Sequence, residues 1–216
     1  EKLERFGKYI TIRPEPQAVW NKKLSNGDWE KTAHVKFVSK TSSSGEWNKL
    51  KEMPDKWQIS YKVKSHPDRY RESKVEKMLS FKLSLTSFKH VGVFPEQAVN
   101  WNYISESISL INVEKPKFLN LFAYTGAASL AAKAAGADVT HLDSIKQVVT
   151  WARENMELSG LKDIRWIVED ALTFVKREVK RGNKYHGIIL DPPAYGNGPE
   201  GEKWKLEDNI QEMIQN

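Results

Sequence analysis

Cysteine is absent from this 216-residue chain. That excludes disulfides, thiolate metal sites and any mechanism needing a cysteine nucleophile within these residues. It also suits a reducing cytoplasm, the expected location. Histidine is scarce: His34, His66, His90, His141 and His186 are scattered and form no helical HxxxH pair, so no metal site is expected. No apolar run is long enough to cross a membrane, and no secretory leader is visible, although the chain opens on Glu1-Lys2 rather than on an initiator. Glycine is thin where a dinucleotide site would need it. Asn120 to Gly126 holds one glycine instead of the GxGxxG pattern, which argues against NAD and its pyrophosphate.

What the chain does have is charge, unevenly placed. Residues 1–95 carry 20 lysines and arginines against 11 acids, a net +9, whereas residues 96–216 carry 14 against 17, a net −3. Trp20, Trp29, Trp47 and Trp57 lie among the lysines of the first part. Basic groups neutralise phosphates and aromatic faces stack on unpaired bases, so the mixture suits RNA or single strands. A lysine-rich solvated surface over a tryptophan-rich core has the same composition. Both readings stay open at this point.

The rhythm of the sequence changes near residues 95–115. Before it, Lys8–Ile12, His34–Val38, Trp57–Val63 and Phe81–Leu85 alternate apolar with polar residues, as half-buried strands do. Turns are expected at Asn26-Gly27-Asp28, in the serine cluster Ser42 to Gly45, and at Met53-Pro54-Asp55. After residue 115 strands and helices alternate. Strands are expected at Phe118–Phe122, Val139–Leu142, Ile164–Val168 and Ile188–Leu190. The first helix runs from Gly126 to Ala135. In the second, Ser144 and Gln147 read as a capping box, the core face is Ile145, Val148, Val149, Ala152 and Met156, and Gly160 is the stop. In the third, Leu172, Val175 and Val179 form the stripe, and Gly182 ends it. Right-handed crossovers then give a parallel α/β sheet.

Ligands of such sheets bind at the carboxyl ends of the strands. There stand the turn FAYTG, from Phe122 to Gly126, and the acids Asp143, Asp170 and Asp191. One acid alone reads as a helix N-cap or a solvated charge; three at consecutive strand ends read as a site. A ligand without phosphate needs only a close backbone approach, which Gly126 permits. Asp143 is placed to accept ribose hydroxyls, and Asp170, with the Ala171 backbone, to meet an adenine amino group. In Asp191-Pro192-Pro193 two prolines fix φ and remove two N–H donors, so Asp191 and the Pro192 carbonyl can hold a planar group, with Tyr195 as a stacking face. Gly196, Gly198, Pro199 and Gly201 read as a mobile loop able to act as a lid before Trp204.

These residues resemble the class I S-adenosylmethionine-dependent methyltransferases, and within them the group containing the ribosomal RNA large-subunit methyltransferases. The group's Asn-x-aromatic-x-Tyr-Thr-Gly turn corresponds to Asn120, Phe122, Tyr124, Thr125 and Gly126. Its Val-Asp-Ser strand end corresponds to Leu142-Asp143-Ser144, its following helix to Trp151–Asn155, its third-strand acid to Asp170, and its Asp-Pro-Pro-x-aromatic loop to Asp191–Tyr195. Gly92–Gln97 is similar to a segment whose Gln lies near the methionine end of the cofactor, although the Arg that usually follows is Ala98 here. The resemblance is specific from about residue 88 to 206.

The resemblance implies a Rossmann-like core at 96–216, preceded at 1–95 by a small β-rich, basic domain that helps hold RNA. It implies S-adenosyl-L-methionine as cofactor, bound by Gln97, Asn120, Phe122, Ala123, Tyr124, Thr125, Gly126, Asp143, Ser144, Asp170, Ala171 and Asp191. Asp191, Pro192, Pro193 and Tyr195 are the expected catalytic residues, and a base of ribosomal RNA is the expected acceptor. Only four strands of a usually seven-stranded sheet are visible before Asn216, so the core reads as incomplete at its carboxyl end, with an open sheet edge. Some relatives methylate cytosine C5 through a cysteine adduct, a route closed to these residues; methylation of a base nitrogen stays open for a base taken out of its stack. The alternatives are a methyltransferase acting on a small molecule or protein, and a non-catalytic RNA-binding protein keeping the fold.

Overall fold

Short strands dominate the first part of the chain because its apolar residues recur every second position. The computed structural model describes residues 1–41, 44–64 and 77–216. Two compact units are present: residues 1–59 with 82–93, and residues 60–81 with 94–216. The boundary between them falls within two strands that pair with each other, β5 (Lys56–Val63) and β6 (Lys77–Ser84).

In the first unit β1 (Lys2–Phe6) and β2 (Tyr9–Arg13) form a hairpin around Gly7, which has φ +66°. Strand β3 (Val35–Ser39) lies parallel to β2, and β4 (Gly45–Lys49) antiparallel to β3. A parallel neighbour needs a crossover, and α1 (Asn26–Thr32) lies within it. The turn expected at Asn26-Gly27-Asp28 is therefore the first turn of a helix. The Ser25 hydroxyl accepts from the Asp28 amide at 3.1 Å and donates to its carboxylate at 2.6 Å, and this capping outweighs the turn preference of Asn-Gly. Strands β1 and β4 were not foreseen. Ser42, Ser43 and His66 lie outside the described residues.

The second unit is built on four parallel strands: β7 (Lys117–Leu121), β8 (Asp138–Asp143), β9 (Ile164–Val168) and β10 (Gly187–Leu190), in the order β10-β7-β8-β9. Helices α3 (Ala127–Ala134), α4 (Lys146–Leu158) and α5 (Ala171–Lys180) make the crossovers. Since β8 and β10 flank β7 on opposite sides, the order reverses there, and the carboxyl ends of β7 and β10 border the crevice where such sheets bind ligands. Leu119, Leu121, Leu142, Ala171, Phe174, Val175, Trp204 and Met213 form the core on one face of this sheet.

Four expectations need correction. Helix α2 (Ala98–Leu110) stands where only a boundary was read; it buries Trp101, Ile104 and Ile108, with Tyr61 and Phe81 each 5.4 Å from the Trp101 ring. The Ser144–Gln147 capping box does not form. Helix α4 begins at Lys146, because the Asp143 carboxylate takes the Ile145 amide at 3.0 Å, and Ile145 is half exposed. The buried face of α5 is Ala171, Phe174, Val175 and Glu178, whereas Val179 is 49% exposed. Residues 195–205 are a hairpin of β11 (Tyr195–Asn197) and β12 (Lys203–Lys205), followed by α6 (Leu206–Gln215), and not a free loop. Among the described residues no helix is long and apolar enough to cross a membrane.

The α5 face can be tested by truncation. Phe174→Ala should cost about 3–5 kcal/mol in urea unfolding, and Val179→Ala about 0.5 kcal/mol or less. Equal losses would mean that the helix is rotated from this register.

Candidate functional site

The turn after β7 is held in a conformation it would not choose alone. Phe122 and Tyr124 have φ of +54° and +50°, in the left-handed region, where each non-glycine residue costs on the order of 1–3 kcal/mol. Gly126, at φ +89°, is the position that only glycine fills: an added Cβ would lie 3.0 Å from that of Ala152. The strain is offset by bonds from neighbouring elements. Leu142 O accepts from the Ala123 amide at 3.0 Å, Asp143 Oδ2 from the Tyr124 amide at 2.9 Å, and Thr125 O from the buried Asn155 amide at 3.0 Å. Asn155 lies within the helix motif of the resemblance, but its spacing from the turn gave no sign that it would reach back to it.

Asp143 is thus engaged through both oxygens, by Tyr124 N and Ile145 N. Burial nonetheless raises its carboxyl above the ordinary value, and the amides of Ile145, Tyr124 and Ser144 only partly counter this. A half-buried carboxylate kept short of stabilisation gains from a ligand that brings hydroxyl donors. Asp170 caps α5 through the Thr173 amide at 2.8 Å, so the helix-cap role that any such acid can play is realised at this strand end. Glu169 beside it is paired through two oxygens with Arg177 at 2.6 Å.

These elements border a shallow cleft, open to solvent, in which Phe122, Asp143, Ser144, Asp170, Ala171 and Pro193 of the expected residues meet. Trp204 and the glycines of the hairpin form its other wall. Trp204 is fixed by its indole donating to Pro193 O at 2.8 Å and by its ring 4.7 Å from that of Phe122. Among the described residues the lining holds three carboxylates, Asp143, Glu169 and Asp170, and no lysine or arginine. Glu169 is neutralised by Arg177, which leaves Asp143 and Asp170 as acceptors for a ligand that carries hydroxyl or amino donors.

The other expected residues stand elsewhere. Asp191 is exposed at the end of β10 and accepts from Gln97 Nε2 at 3.1 Å; Tyr195 is 71% exposed. Pro192 is half-buried beside it. Tyr124 stacks on Phe94 at 5.3 Å. Ala123, Thr125 and Asn120 are buried side chains, so these positions offer backbone at most. The Asn120 amide donates to Ser129 Oγ at 2.9 Å, and the same hydroxyl is hydrogen-bonded to His141 Nδ1 at 3.0 Å. His141, fully buried against Trp166, has its pKa pushed down to about 3 by desolvation and stays neutral.

A family model described as conserved hypothetical protein 95 matches residues 97–207, just over half of the chain. The chain belongs to that family. It is 35% identical over 138 residues to the ribosomal RNA large subunit methyltransferase K/L of Shewanella frigidimarina, covering 62% of this chain and 18% of that protein. The crystal structure of a SAM-dependent methyltransferase from Agrobacterium tumefaciens is similar over 98% of this chain and 63% of that one, at 40% identity and a TM-score of 0.84. A structure described as a putative SAM-dependent methyltransferase from Streptococcus mutans shares the fold at 19% identity, over 87% of this chain and 44% of that one, with a TM-score of 0.62. The chain thus spans about a fifth of the curated relative and under two thirds of the first structure. The chain's own fold is the Rossmann-like methyltransferase core, with a β-rich part ahead of it.

The buried histidine makes a pH prediction. As pH falls below about 6.5, the unfolded chain takes up a proton that folded His141 refuses, so stability is lost towards its folded value near 3, by at most about 1.4 kcal/mol per pH unit. His141→Gln should flatten this part of the pH dependence of the urea midpoint. The same slope in parent and variant would place the charge elsewhere.

Proposed function

We propose that this chain is the catalytic part of an S-adenosylmethionine-dependent methyltransferase acting on a base nitrogen of structured RNA, with ribosomal RNA as the acceptor. The observation that carries the reading is the cleft over the carboxyl ends of β7, β8 and β9, lined among the described residues by Asp143, Glu169 and Asp170 and by no lysine or arginine, next to the Asp191-Pro192-Pro193 loop. S-adenosylmethionine, when bound, supplies a methyl group on a positively charged sulfur.

The protein's own residues do the rest. Asp143 accepts the ribose hydroxyls, with Ser144 beside it. Asp170 and the Ala171 backbone receive the adenine edge, and Phe122 supplies the apolar wall. The backbone from Ala123 to Gly126, together with Asn120 beneath it, shapes the methionine end, to which Gln97 and Asp191 are adjacent. Asp191 and the Pro192 carbonyl accept hydrogen bonds from the amino group of the acceptor base, Pro193 keeps the loop stiff, and Tyr195 stacks on the base. Holding the nucleophilic nitrogen in line with the methyl group accounts for most of the rate, since displacement at a sulfonium carbon needs orientation above all. Asp191 then receives the proton that the amine sheds. The basic residues 1–95 contact the RNA backbone, and the protein works in the cytoplasm. The names of the relatives, the SAM-dependent enzyme with which this chain shares 40% identity and the ribosomal RNA methyltransferase, support this reading.

The test is transfer of labelled methyl from S-adenosylmethionine to ribosomal RNA. Asp191→Ala should lower transfer by about 100-fold or more while leaving cofactor affinity within about twofold. Full turnover in that variant would remove the loop from the mechanism. Transfer to small molecules or proteins but not to RNA would reassign the substrate, and cofactor-free RNA binding would favour a non-catalytic protein.

A further inference from the structure

Asp191 does not stand alone at its strand end. Gln97 Nε2 donates to Asp191 Oδ2 at 3.1 Å, and Asn100 Nδ2 donates to Gln97 Oε1 at 2.6 Å. Gln97 ends the short 3-10 turn Pro95–Gln97, where its own amide donates to Phe94 O at 3.0 Å, and the Phe94 ring lies 5.3 Å from that of Tyr124. The start of this segment is thereby tied to the strained turn after β7.

An amide side chain has one donating end and one accepting end, and the two are nearly equal in shape. A carboxylate can only accept. If Gln97 presented Oε1 to Asp191, two acceptors would face each other. Asp191 therefore selects Nε2, and Asn100, donating to Oε1 at 2.6 Å, holds the same orientation from the other end.

We infer that Asn100 and Gln97 form a directional relay that positions Asp191. Gln97 acts through Asp191, in addition to any contact with the cofactor, and Asn100 acts through Gln97; both are positioning residues. The relay occupies Oδ2 with a donor and so assigns the other carboxylate oxygen to the acceptor base. A carboxylate oriented in this way selects a base edge that offers an N–H and rejects one that offers a carbonyl. The inference rests on the proposed role of Asp191 for its consequence in catalysis, but the relay itself can be read without turnover.

The direct test is the side-chain amide spectrum of the 15N-labelled chain, with the Gln97 signal identified by its loss in Gln97→Glu. Asp191→Asn and Asn100→Asp should each move or broaden the Gln97 amide pair, because one alters its acceptor and the other its clamp. A Gln97 pair unmoved by both substitutions would overturn the relay. The second arm is transfer to ribosomal RNA. Asn100→Asp, which can only accept at this position, should lower kcat about tenfold with the affinity for S-adenosylmethionine unchanged. Asn100→Lys, which can only donate, should keep kcat within about threefold of the parent. Equal losses in the two variants would mean that Asn100 is merely structural, and would overturn the inference. Should the parent chain transfer no methyl to RNA, the proposed function falls, and the amide spectrum still decides the relay.

Discussion

The carboxylate of Asp143 ties together two parts of the chain. One oxygen takes the amide of Tyr124, in the turn after β7, and the other that of Ile145, at the entry to α4. The turn is strained at Phe122 and Tyr124, and Asp143 shares with Leu142 O and Asn155 the work of holding its backbone in place. The same carboxylate lines that cleft. Its pKa is raised because burial costs it more than the three neighbouring amides return. Under the proposed function, structure and ligand recognition draw on this one group, and ligand hydroxyls would complete its solvation.

The remaining features of the second unit follow from strand order. Because β10 and β8 lie on opposite sides of β7, the loop after β10 comes beside the turn after β7. Trp204 then closes the far wall by bonding to Pro193 O and packing its ring at a tilt against that of Phe122, so the hairpin is anchored at the cleft and does not hang over it.

Much of this was legible in the sequence, and the misses share a cause. The four parallel strands could be read because each is a short apolar run that ends in an acid or a turn. Asp143, Asp170 and Asp191 could be placed because they close those runs. Helix α2 escaped because Trp101, Ile104 and Ile108 are interspersed with serines and asparagines that weaken the periodicity. Glu178 was not read as buried because its partners Asn183 and Tyr185 lie beyond the helix end and accommodate the charge only once folded. The hairpin at 195–205 looked like a loop because its glycines are local signals, whereas the contact that anchors it, Trp204 with Phe122, spans the unit. The bond between Gln97 and Asp191 crosses 94 positions, and no short-range pattern reports it.

The central claim is that Asp143 both supports the turn and receives the ribose of S-adenosylmethionine. Titration calorimetry of that cofactor, run in two buffers of different ionisation enthalpy just above the ordinary carboxylate range, tests it most directly. Binding should release protons, because hydroxyl donors lower a pKa that burial has raised, and Asp143→Ala should abolish the binding. Absence of binding by the parent chain, or binding that Asp143→Ala leaves unchanged, would contradict the account.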